Sequence, residues 1–358
     1  MSEPKFLSIG NRFRLRDEIG GVTVHDDLNH LYSYYENLFI DNIVADVNSM
    51  SVEAFSEYIG KQADKKTTNI NAKYPFYLGW EVSGRCNLDC VYCFAETAIH
   101  TDNTDQIMKT SESILAVHPL VVGLSGGEPT LNPKLPDIIK LFSGKVSLIL
   151  NTNGTTKLLG DLVPLLKESG ALVRVTVDAM NNDLLNQVRP PVSMPKNGFD
   201  QVSILRTNIG LLVKGNVNMM VHTVVTKQSK DYLEETAKEL ISLGVKRWHL
   251  YCVDKCYKCR DIFDDIYVNQ VELKEICENL KSKYGDKLHI TYPASAVENR
   301  ACAILLVDST GRFFVNPNTE HVRFIGQNPT APTIEEIQEE LDYNTHMKCY
   351  LTNFWAKD

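Results

Sequence analysis

The stretch FYLGWEVSGRCNLDCVYC, residues 76–93, joins an apolar segment of strand length to three closely spaced cysteines. Phe76–Val82 has the length and composition of a buried β-strand. The cysteines follow it in the pattern Cys86-x3-Cys90-x2-Cys93. Three thiolates at this spacing can ligate one face of a metal cluster and leave one metal position open for chemistry. Zinc or buried structural thiols are the alternatives, and a structural zinc site would need a fourth ligand close by.

Five more segments of strand length follow the first, and helical patterns separate several of them. The six strand candidates are Phe76–Val82, Leu120–Leu124, Lys145–Leu150, Leu172–Val177, Val217–Val225 and Arg247–Val253. Helical periodicity is found in Lys157–Glu168, Gln201–Val213 and Asp231–Leu243. Because parallel strands need long crossovers, this alternation predicts an α/β fold built on a partial (β/α)6 barrel. Its chemistry should lie at the carboxyl ends of the strands.

The flanks of the barrel differ from it in pattern. Residues 1–62 predict a β-rich N-terminal region with an amphipathic helix after Ser51, and residues 74–255 predict the barrel. Residues 256–358 predict an α+β C-terminal extension with a helix at Asn269–Tyr284 and a hairpin around Gly311. In this extension Thr333 and Glu336 predict a capping box that opens a short helix.

Composition excludes several classes of protein. The 358 residues are 43% hydrophobic and 23% charged, which is typical of a folded globular chain rather than a disordered one. The net charge of −8 is opposite to the basic footprint of a nucleic-acid-binding protein. Apolar runs are too short to span a membrane, and no secretion signal is visible. We therefore expect a cytoplasmic protein whose nine cysteines serve metal or thiol chemistry.

Four motifs in order resemble those of the radical S-adenosylmethionine (SAM) enzymes, over residues 74–255. The first is the cysteine triplet with Tyr92 before its third cysteine. The second is Ser125-Gly126-Gly127-Glu128-Pro129 after the second strand, and the third is Asn151-Thr152-Asn153-Gly154 after the next. The fourth is Thr176-Val177-Asp178 at the end of the fourth strand, with Arg189 further on.

The resemblance implies a role for each of these residues. Cys86, Cys90 and Cys93 would hold a catalytic [4Fe–4S] cluster whose open iron binds SAM. Tyr92 would cover the adenine, and the turn of Gly126, Gly127 and Glu128 would bind the methionyl ammonium. The remaining predicted cofactor contacts are Asn153, Thr176, Asp178 and Arg189, the last to the methionine carboxylate. Local roles in turns and in the core are the alternative for each of these.

The chemistry implied is reductive cleavage of SAM to a 5′-deoxyadenosyl radical that abstracts hydrogen from a substrate. A reductant such as flavodoxin or ferredoxin would supply the electron.

A second triplet, Cys252-x3-Cys256-x2-Cys259, repeats the spacing of the first at the end of the sixth strand. With Cys302 it predicts a site for an auxiliary iron–sulfur cluster, and structural thiols are the alternative. The region resembles a reduced form of the C-terminal extensions called SPASM or twitch domains. A further cysteine usually follows the second hairpin strand there, and this chain has none.

The sequence is compatible with two classes of substrate. The segment from Phe13 to Val24 is similar to the leading hairpin of peptide-recognition modules in enzymes that mature ribosomally made peptides. Such a sheet edge would bind a leader peptide by β-augmentation, and a β-rich cap on the barrel is the alternative. The second class is a nucleotide or another metabolite, as in viperin-like enzymes. Candidate phosphate contacts for a nucleotide are Lys246, Arg247, Lys255, Lys258 and Arg260.

Overall fold

The computed structural model of the chain describes most of the sequence in several ranges. These are residues 4–18, 21–26, 31–35, 50–61, 73–93, 106–193, 199–255, 258–293, 303–316, 322–326, 331–343 and 345–346. The predicted ligands Cys256 and Cys302 lie outside the described residues. No helix within the described ranges has the length and apolarity needed to cross a membrane.

The chain begins with a small antiparallel sheet, in agreement with the predicted β-rich region. Its strands, in spatial order, are β1 (Phe6–Ile9), β2 (Phe13–Glu18), β3 (Gly21–Asp26) and β4 (Leu31–Tyr35). Helix α1 (Val52–Lys61) follows and places Phe55 edge-on against Phe13, with the ring centroids 4.8 Å apart. The sheet and helix thereby share a core of their own beside the barrel.

The main sheet has ten strands, and eight neighbouring strands are joined by parallel pairing. The strands are β5 (Tyr77–Ser83), β6 (Val121–Gly126), β7 (Ser147–Thr152), β8 (Leu172–Thr176), β9 (Met219–Val225), β10 (Arg247–Cys252), β11 (His289–Thr291), β12 (Leu305–Val307), β13 (Phe313–Val315) and β14 (Arg323–Ile325). Their spatial order is β11-β10-β9-β8-β7-β6-β5-β12-β13-β14. Strands β5 to β10 are the six predicted ones, so the predicted partial barrel is confirmed.

The helices cover one face of this sheet. They are α2 (Ile107–Ala116), α3 (Leu135–Phe142), α4 (Leu158–Asp161), α5 (Val163–Ser169), α6 (Asn182–Val188), α7 (Gln201–Lys214), α8 (Leu233–Ser242), α9 (Phe263–Ile266), α10 (Gln270–Tyr284) and α11 (Ile334–Glu340). Short 3₁₀ turns lie at 129–131, 230–232 and 260–262. The single predicted helix Lys157–Glu168 is divided into α4 and α5 because Pro164 lies in the first turn of α5 and cannot continue a preceding helix.

The strands of the predicted C-terminal extension join both edges of the barrel sheet. Strand β11 pairs in parallel with β10, and β12 pairs in parallel with β5. The predicted hairpin is β12–β13, and β14 adds to it antiparallel. The predicted capping box of Thr333 and Glu336 is present at the start of α11. These short strands cover the edges that a six-stranded sheet would leave unpaired.

The N-terminal sheet packs against the amino ends of the barrel strands, through the buried side chain of Arg16. Its Nη1 donates to the carbonyl oxygens of Pro75 and His118, at 2.6 and 2.7 Å, and its Nη2 donates to that of Tyr74. Its Nε donates to the buried carboxylate of Glu18. The sheet therefore lies at the end of the barrel opposite to the cysteines.

The start of β5 is also held from the C-terminal side. The buried imidazole of His346 accepts a hydrogen bond from the backbone N–H of Phe76 at 3.0 Å and pairs through Nδ1 with the carbonyl oxygen of Ala303. The hydroxyl of Tyr343 donates to the carbonyl oxygen of Lys73. Residues 73–77 are thus in contact with segments from both ends of the chain.

We predict that the protein loses stability in mild acid because of His346. Burial lowers the pKa of this imidazole to about 4, below the ~6.5 of an unfolded histidine. The folded state therefore resists the proton that the unfolded state accepts, and stability falls as the pH drops from about 6.5 towards 4. The free energy of unfolding should decrease by about 3 kcal/mol across this window from His346 alone.

Urea unfolding at pH 7 and pH 4.5 measures this loss of stability. The variant His346→Gln, whose amide oxygen can accept the same N–H, should show a smaller difference between the two pH values than the wild type. An equal difference in both proteins would contradict the assignment to His346.

Candidate active site

The three cysteines of the first triplet lie on a loop that follows β5 and pairs with the segment after α6. Asp89 donates its N–H to the carbonyl oxygen of Pro190 at 2.7 Å, and Val91 donates to that of Val188 at 3.0 Å. Val192 in turn donates its N–H to the carbonyl oxygen of Asn87. This antiparallel contact fixes the backbone of the loop, which we call the cysteine loop (residues 84–93).

The thiols of the cysteine loop are half-buried and close enough to affect one another's ionisation. Burial raises the pKa of the Cys90 thiol to about 12 and also raises the pKa of Cys86. The Sγ atom of Cys86 accepts from the N–H of Leu88 at 3.4 Å and lies 3.8 Å from the side-chain nitrogen of Asn153. The thiols of Cys86 and Cys90 thus stay protonated until a metal displaces their protons.

The Gly126-Gly127 turn lies directly against the cysteine loop. The N–H of Gly127 donates to the carbonyl oxygen of Ser83, and that of Glu128 donates to Arg85, each at 2.7 Å. A Cβ at Gly127 would lie 2.1 Å from the carbonyl oxygen of Arg85, and one at Gly126 would lie 2.3 Å from that of Ser83. Gly126 also has a φ of +126°. Both glycines are therefore needed for contact between two segments of this chain, whatever ligand the turn binds.

The carboxylate of Glu128 is buried inside the protein rather than aimed outward. Its Oε1 accepts from the backbone N–H and the hydroxyl of Thr130 and from the hydroxyl of Thr152, at 3.1, 2.6 and 2.7 Å. Its Oε2 accepts from the N–H of Asn153 at 2.7 Å. Four donors occupy most of the acceptor sites of a carboxylate, so Glu128 ties β6 to the end of β7. Its predicted contact with an ammonium stays a prediction.

Asn153 connects this carboxylate to the cysteine loop. Its backbone N–H binds Glu128, and its side-chain nitrogen donates to Asn87 at 2.8 Å. Asn87 in turn donates to the hydroxyl of Thr155 at 2.9 Å. The motif after β7 therefore positions the loop between the first two cysteines.

Tyr92, Asp178 and Arg189 meet beneath the same loop. The hydroxyl of Tyr92 donates to Asp178, whose other oxygen accepts from the N–H of Val224 at 3.0 Å. Arg189 is fully buried, 3.9 Å from Asp178, and it donates to the carbonyl oxygens of Thr176 and Asn153 at 2.6 and 2.8 Å. The structure thus brings together all the residues predicted from the first four motifs, although Arg189 binds protein groups.

A family model described as the radical SAM superfamily matches residues 80–240, which include the cysteine loop and the turn. This central part of the chain is similar to the radical SAM superfamily. Its sequence is 30% identical over 179 residues to the uncharacterized protein MJ0907 of Methanocaldococcus jannaschii, covering 46% of this chain and 58% of that protein. It is 22% identical over 273 residues to the mycofactocin maturase MftC of Mycolicibacterium smegmatis, covering 71% and 67%.

Another relative carries the name of a different activity. A GTP 3′,8-cyclase of Clostridium perfringens is 27% identical over 181 residues, covering 48% of this chain and 52% of the cyclase. The chain spans about half the length of the first curated relatives it matches. Among solved structures, SuiB of Streptococcus suis bound to SAM superposes with a TM-score of 0.61 at 13% identity, covering 89% of this chain and 85% of SuiB. This likeness establishes the fold.

The donors of the cysteine loop fit the [4Fe–4S] cluster that the superfamily implies. Three cysteine thiols converge on one loop, and an N–H donor already contacts the sulfur of Cys86, as is common around such clusters. Within the described ranges, no three His, Cys, Asp or Glu side chains surround a single ion site. In a [4Fe–4S] cluster each thiolate would bind a different iron. The three cysteines would therefore lie further apart than the ligands of a single metal ion.

The second triplet is described only in part. Cys252 shares the helix-facing side of β10 with Trp248 and packs on the core that contains Cys277 of α10. Cys259 is buried beside Val91 and Tyr92 of the cysteine loop, and its thiol donates to the carbonyl oxygen of Asp254. The two described thiols thus have separate packing environments, and the auxiliary cluster stays a prediction.

The structure adds contacts that sequence reasoning missed. Lys258, between Cys256 and Cys259, forms an ion pair with Asp89 of the cysteine loop. Thr130 and Thr152, which satisfy Glu128, sit immediately beside the recognised motifs. The sequence could have indicated this role. Both residues carry a hydroxyl group, and they lie just after Gly-Gly-Glu and within Asn-Thr-Asn.

Proposed function

We propose that this chain cleaves SAM reductively at a [4Fe–4S] cluster held by Cys86, Cys90 and Cys93, and modifies a ribosomally made peptide. The observation that carries the proposal is the cysteine loop held against the Gly126-Gly127 turn at the carboxyl ends of six parallel strands. When bound, the cluster and SAM supply a 5′-deoxyadenosyl radical for hydrogen abstraction. The chain's own residues position the loop and keep water from the site.

Those residues act in identifiable ways. Leu88 and Asn153 offer N–H groups to the sulfur of Cys86, which fixes its orientation. Arg189 places a buried positive charge near the thiols and lowers the pKa of Cys90 against the opposing effect of burial. This charge favours the thiolate form that ligates iron.

We predict that replacing Cys86, Cys90 or Cys93 with alanine abolishes formation of 5′-deoxyadenosine. Each change removes one of three ligands, and a second iron of the cluster is then without a protein ligand. The measurement is 5′-deoxyadenosine release under dithionite after anaerobic reconstitution. Cys277→Ala is the matched control, because Cys277 is a buried thiol in α10 and should leave cleavage intact. Cleavage at the wild-type rate in any loop variant would contradict the proposal.

Two observations support a peptide over a nucleotide. The N-terminal antiparallel sheet has β4 at one edge among the described strands, and such an edge can accept a peptide strand. SuiB, which shares the fold, has also been solved bound to its precursor peptide SuiA. Four of the five basic residues proposed for a nucleotide lie away from the cysteine loop or already contact a protein group. Lys246 and Arg247 lie at the amino end of β10, Lys258 pairs with Asp89, and Lys255 lies over the ring of Phe263.

A pair of proline variants tests whether β4 binds the leader. Backbone N–H groups of adjacent strand residues point to opposite sides, so Ser33→Pro and Tyr34→Pro remove one N–H facing β3 and one facing the free edge. The edge-facing variant should lose binding of short peptides encoded beside this gene and should still cleave SAM without peptide. The variant facing β3 serves as the control for damage to the sheet. Equal peptide affinity in the edge-facing variant and the wild type would contradict leader binding at β4.

A further inference from the structure

The strands of the barrel present one face to the helices and the other to the lumen. On the helix side of β8 to β10 lie Val173, Val175, Val221, Trp248 and Leu250, all in the main core. Because strand side chains alternate, the lumen side of these strands carries Arg174, Thr176, His222, His249 and Tyr251.

The lumen is closed at its amino end and open towards the cysteine loop. An apolar layer fills the closed end with Phe76, Leu120, Val121, Ile149, Leu172 and Met220. One level above it, Arg174, His222 and Tyr251 are only half-buried although they point into the barrel. Their partial exposure indicates that solvent-accessible space reaches this level of the lumen.

Three rings on β9 and β10 form a wall of the lumen next to β8, the strand of Arg174. The ring centroids of His249 and Tyr251 are 4.2 Å apart, and those of His222 and Tyr251 are 5.0 Å apart. His249 is further held by a 2.6 Å hydrogen bond between Nδ1 and the hydroxyl of Thr291. A wall fixed in this way presents the same surface to each ligand that enters.

Arg174 lies on β8, where it pairs with Asn151 of β7 and Met220 of β9. Its charge influences the ionisation of Tyr77 on β5, His222 on β9 and His249 on β10. Burial lowers the pKa of both histidines well below the usual value, and the charge of Arg174 adds to that effect. The imidazoles are therefore neutral at pH 7.

The lumen has a net positive charge inside an acidic chain. By strand alternation, the charged residues on the lumen side of β5 to β10 are Arg174, Arg247 and Glu81. Arg247 sits at the amino end of β10, where it binds the side chain of Asn218 and the carbonyl oxygen of Met219. The whole chain carries a charge of −8, so the lumen attracts an anion that the outer surface repels.

We infer that Arg174 anchors a carboxylate of the substrate in the barrel lumen, against the wall of His222 and Tyr251. The inference rests on the proposed function, since it names the substrate group that the same site receives. A guanidinium matches a planar carboxylate through two parallel hydrogen bonds. Arg174 precedes Thr176 by two residues on the same strand face, so the anchored group would lie about 7 Å below the level of Thr176.

The test uses anaerobically reconstituted protein labelled with ¹³C at the histidine Cε1 atoms. The His222 resonance, assigned with His222→Phe, reports on ligands beside Arg174. The probes are N-acetylglycine, which mimics a peptide C-terminus, and N-acetylglutamate N-methylamide, which mimics an acidic side chain. N-acetylglycinamide is the neutral control, and inorganic phosphate stands for a nucleotide. The better carboxylate probe identifies the source of the anchored group.

At least one carboxylate should shift the resonance saturably, and the neutral amide should not. Arg174→Gln should weaken that binding about tenfold or more, and Arg174→Lys should weaken it less. Glu81→Gln should tighten it, because it removes a negative charge from the lumen. If Arg174→Gln does not fold, the Arg174→Lys and Glu81→Gln variants decide the question.

Equal shifts with amide and carboxylate, wild-type affinity in Arg174→Gln, or tighter binding of phosphate than of both carboxylates would overturn the inference. The titration needs neither SAM cleavage nor a peptide. Failure of the anchor with intact SAM cleavage rejects only the anchor, and carboxylate binding without SAM cleavage rejects only the proposed function.

Discussion

Alanine at position 127 should abolish assembly of the first cluster. The added Cβ would lie 2.1 Å from the carbonyl oxygen of Arg85 and 2.4 Å from its carbonyl carbon. Both are backbone atoms, so the cysteine loop would have to move as a unit and would lose its hydrogen bonds to the turn. A displacement of about 1 Å at a reactive site can cost a factor of about 100 in rate. We expect at least that loss in 5′-deoxyadenosine formation, with a matching loss of iron.

The matched control is Gly210→Ala in α7. A Cβ there meets no atom within 4 Å, and alanine is favoured over glycine in a helix by up to about 1 kcal/mol. This variant should keep its iron and its activity. Wild-type iron content in Gly127→Ala would show that the loop tolerates displacement from the turn.

Replacing Arg16 with alanine should lower the free energy of unfolding by about 3–5 kcal/mol, the usual effect of removing one partner from a buried ion pair. The change leaves Glu18 buried, where burial already raises its pKa. It also removes the donor to three carbonyl groups at the amino end of the barrel. Urea unfolding of the wild type and the variant at pH 7 measures the difference.

Arg206→Ala is the control for Arg16→Ala. Its partner is Glu239, and the two side chains are 50% and 27% exposed, so the loss should be at most about 1 kcal/mol. Equal stability of the two variants would mean that the N-terminal sheet is only loosely attached. If the predicted loss is found, deleting residues 1–60 would damage the barrel as well as the leader site. The proline variants in β4 are then the cleaner test of peptide binding.

The sequence predicted the six central strands because each segment is rich in apolar residues and has the length of a strand. It also predicted which residues gather around the cysteine loop, since the carboxyl ends of parallel strands meet at one end of a barrel. Strands β11, β12 and β14 have three residues each, too few for periodicity to predict their pairing.

The orientation of side chains at the site was harder to predict. A glutamate after two glycines gives no sign that its carboxylate turns inward to Thr130 and Thr152. Alternation with Trp248 and Leu250 does indicate that Cys252 faces the helices, and this signal was available in the sequence. The burial of Arg189 depends on the pairing of residues 188–192 with the cysteine loop, which no local pattern encodes.

The short segment before β5 has a consequence for how the molecule melts. Arg16 holds the carbonyl groups of Tyr74 and Pro75, and His346 holds the N–H of Phe76. Regions near the two ends of the chain therefore depend on the strand that leads to the cysteines. Neither terminal region can detach without loosening that strand. Calorimetry would therefore record one cooperative transition for the N-terminal sheet, the barrel and the C-terminal region instead of separate transitions.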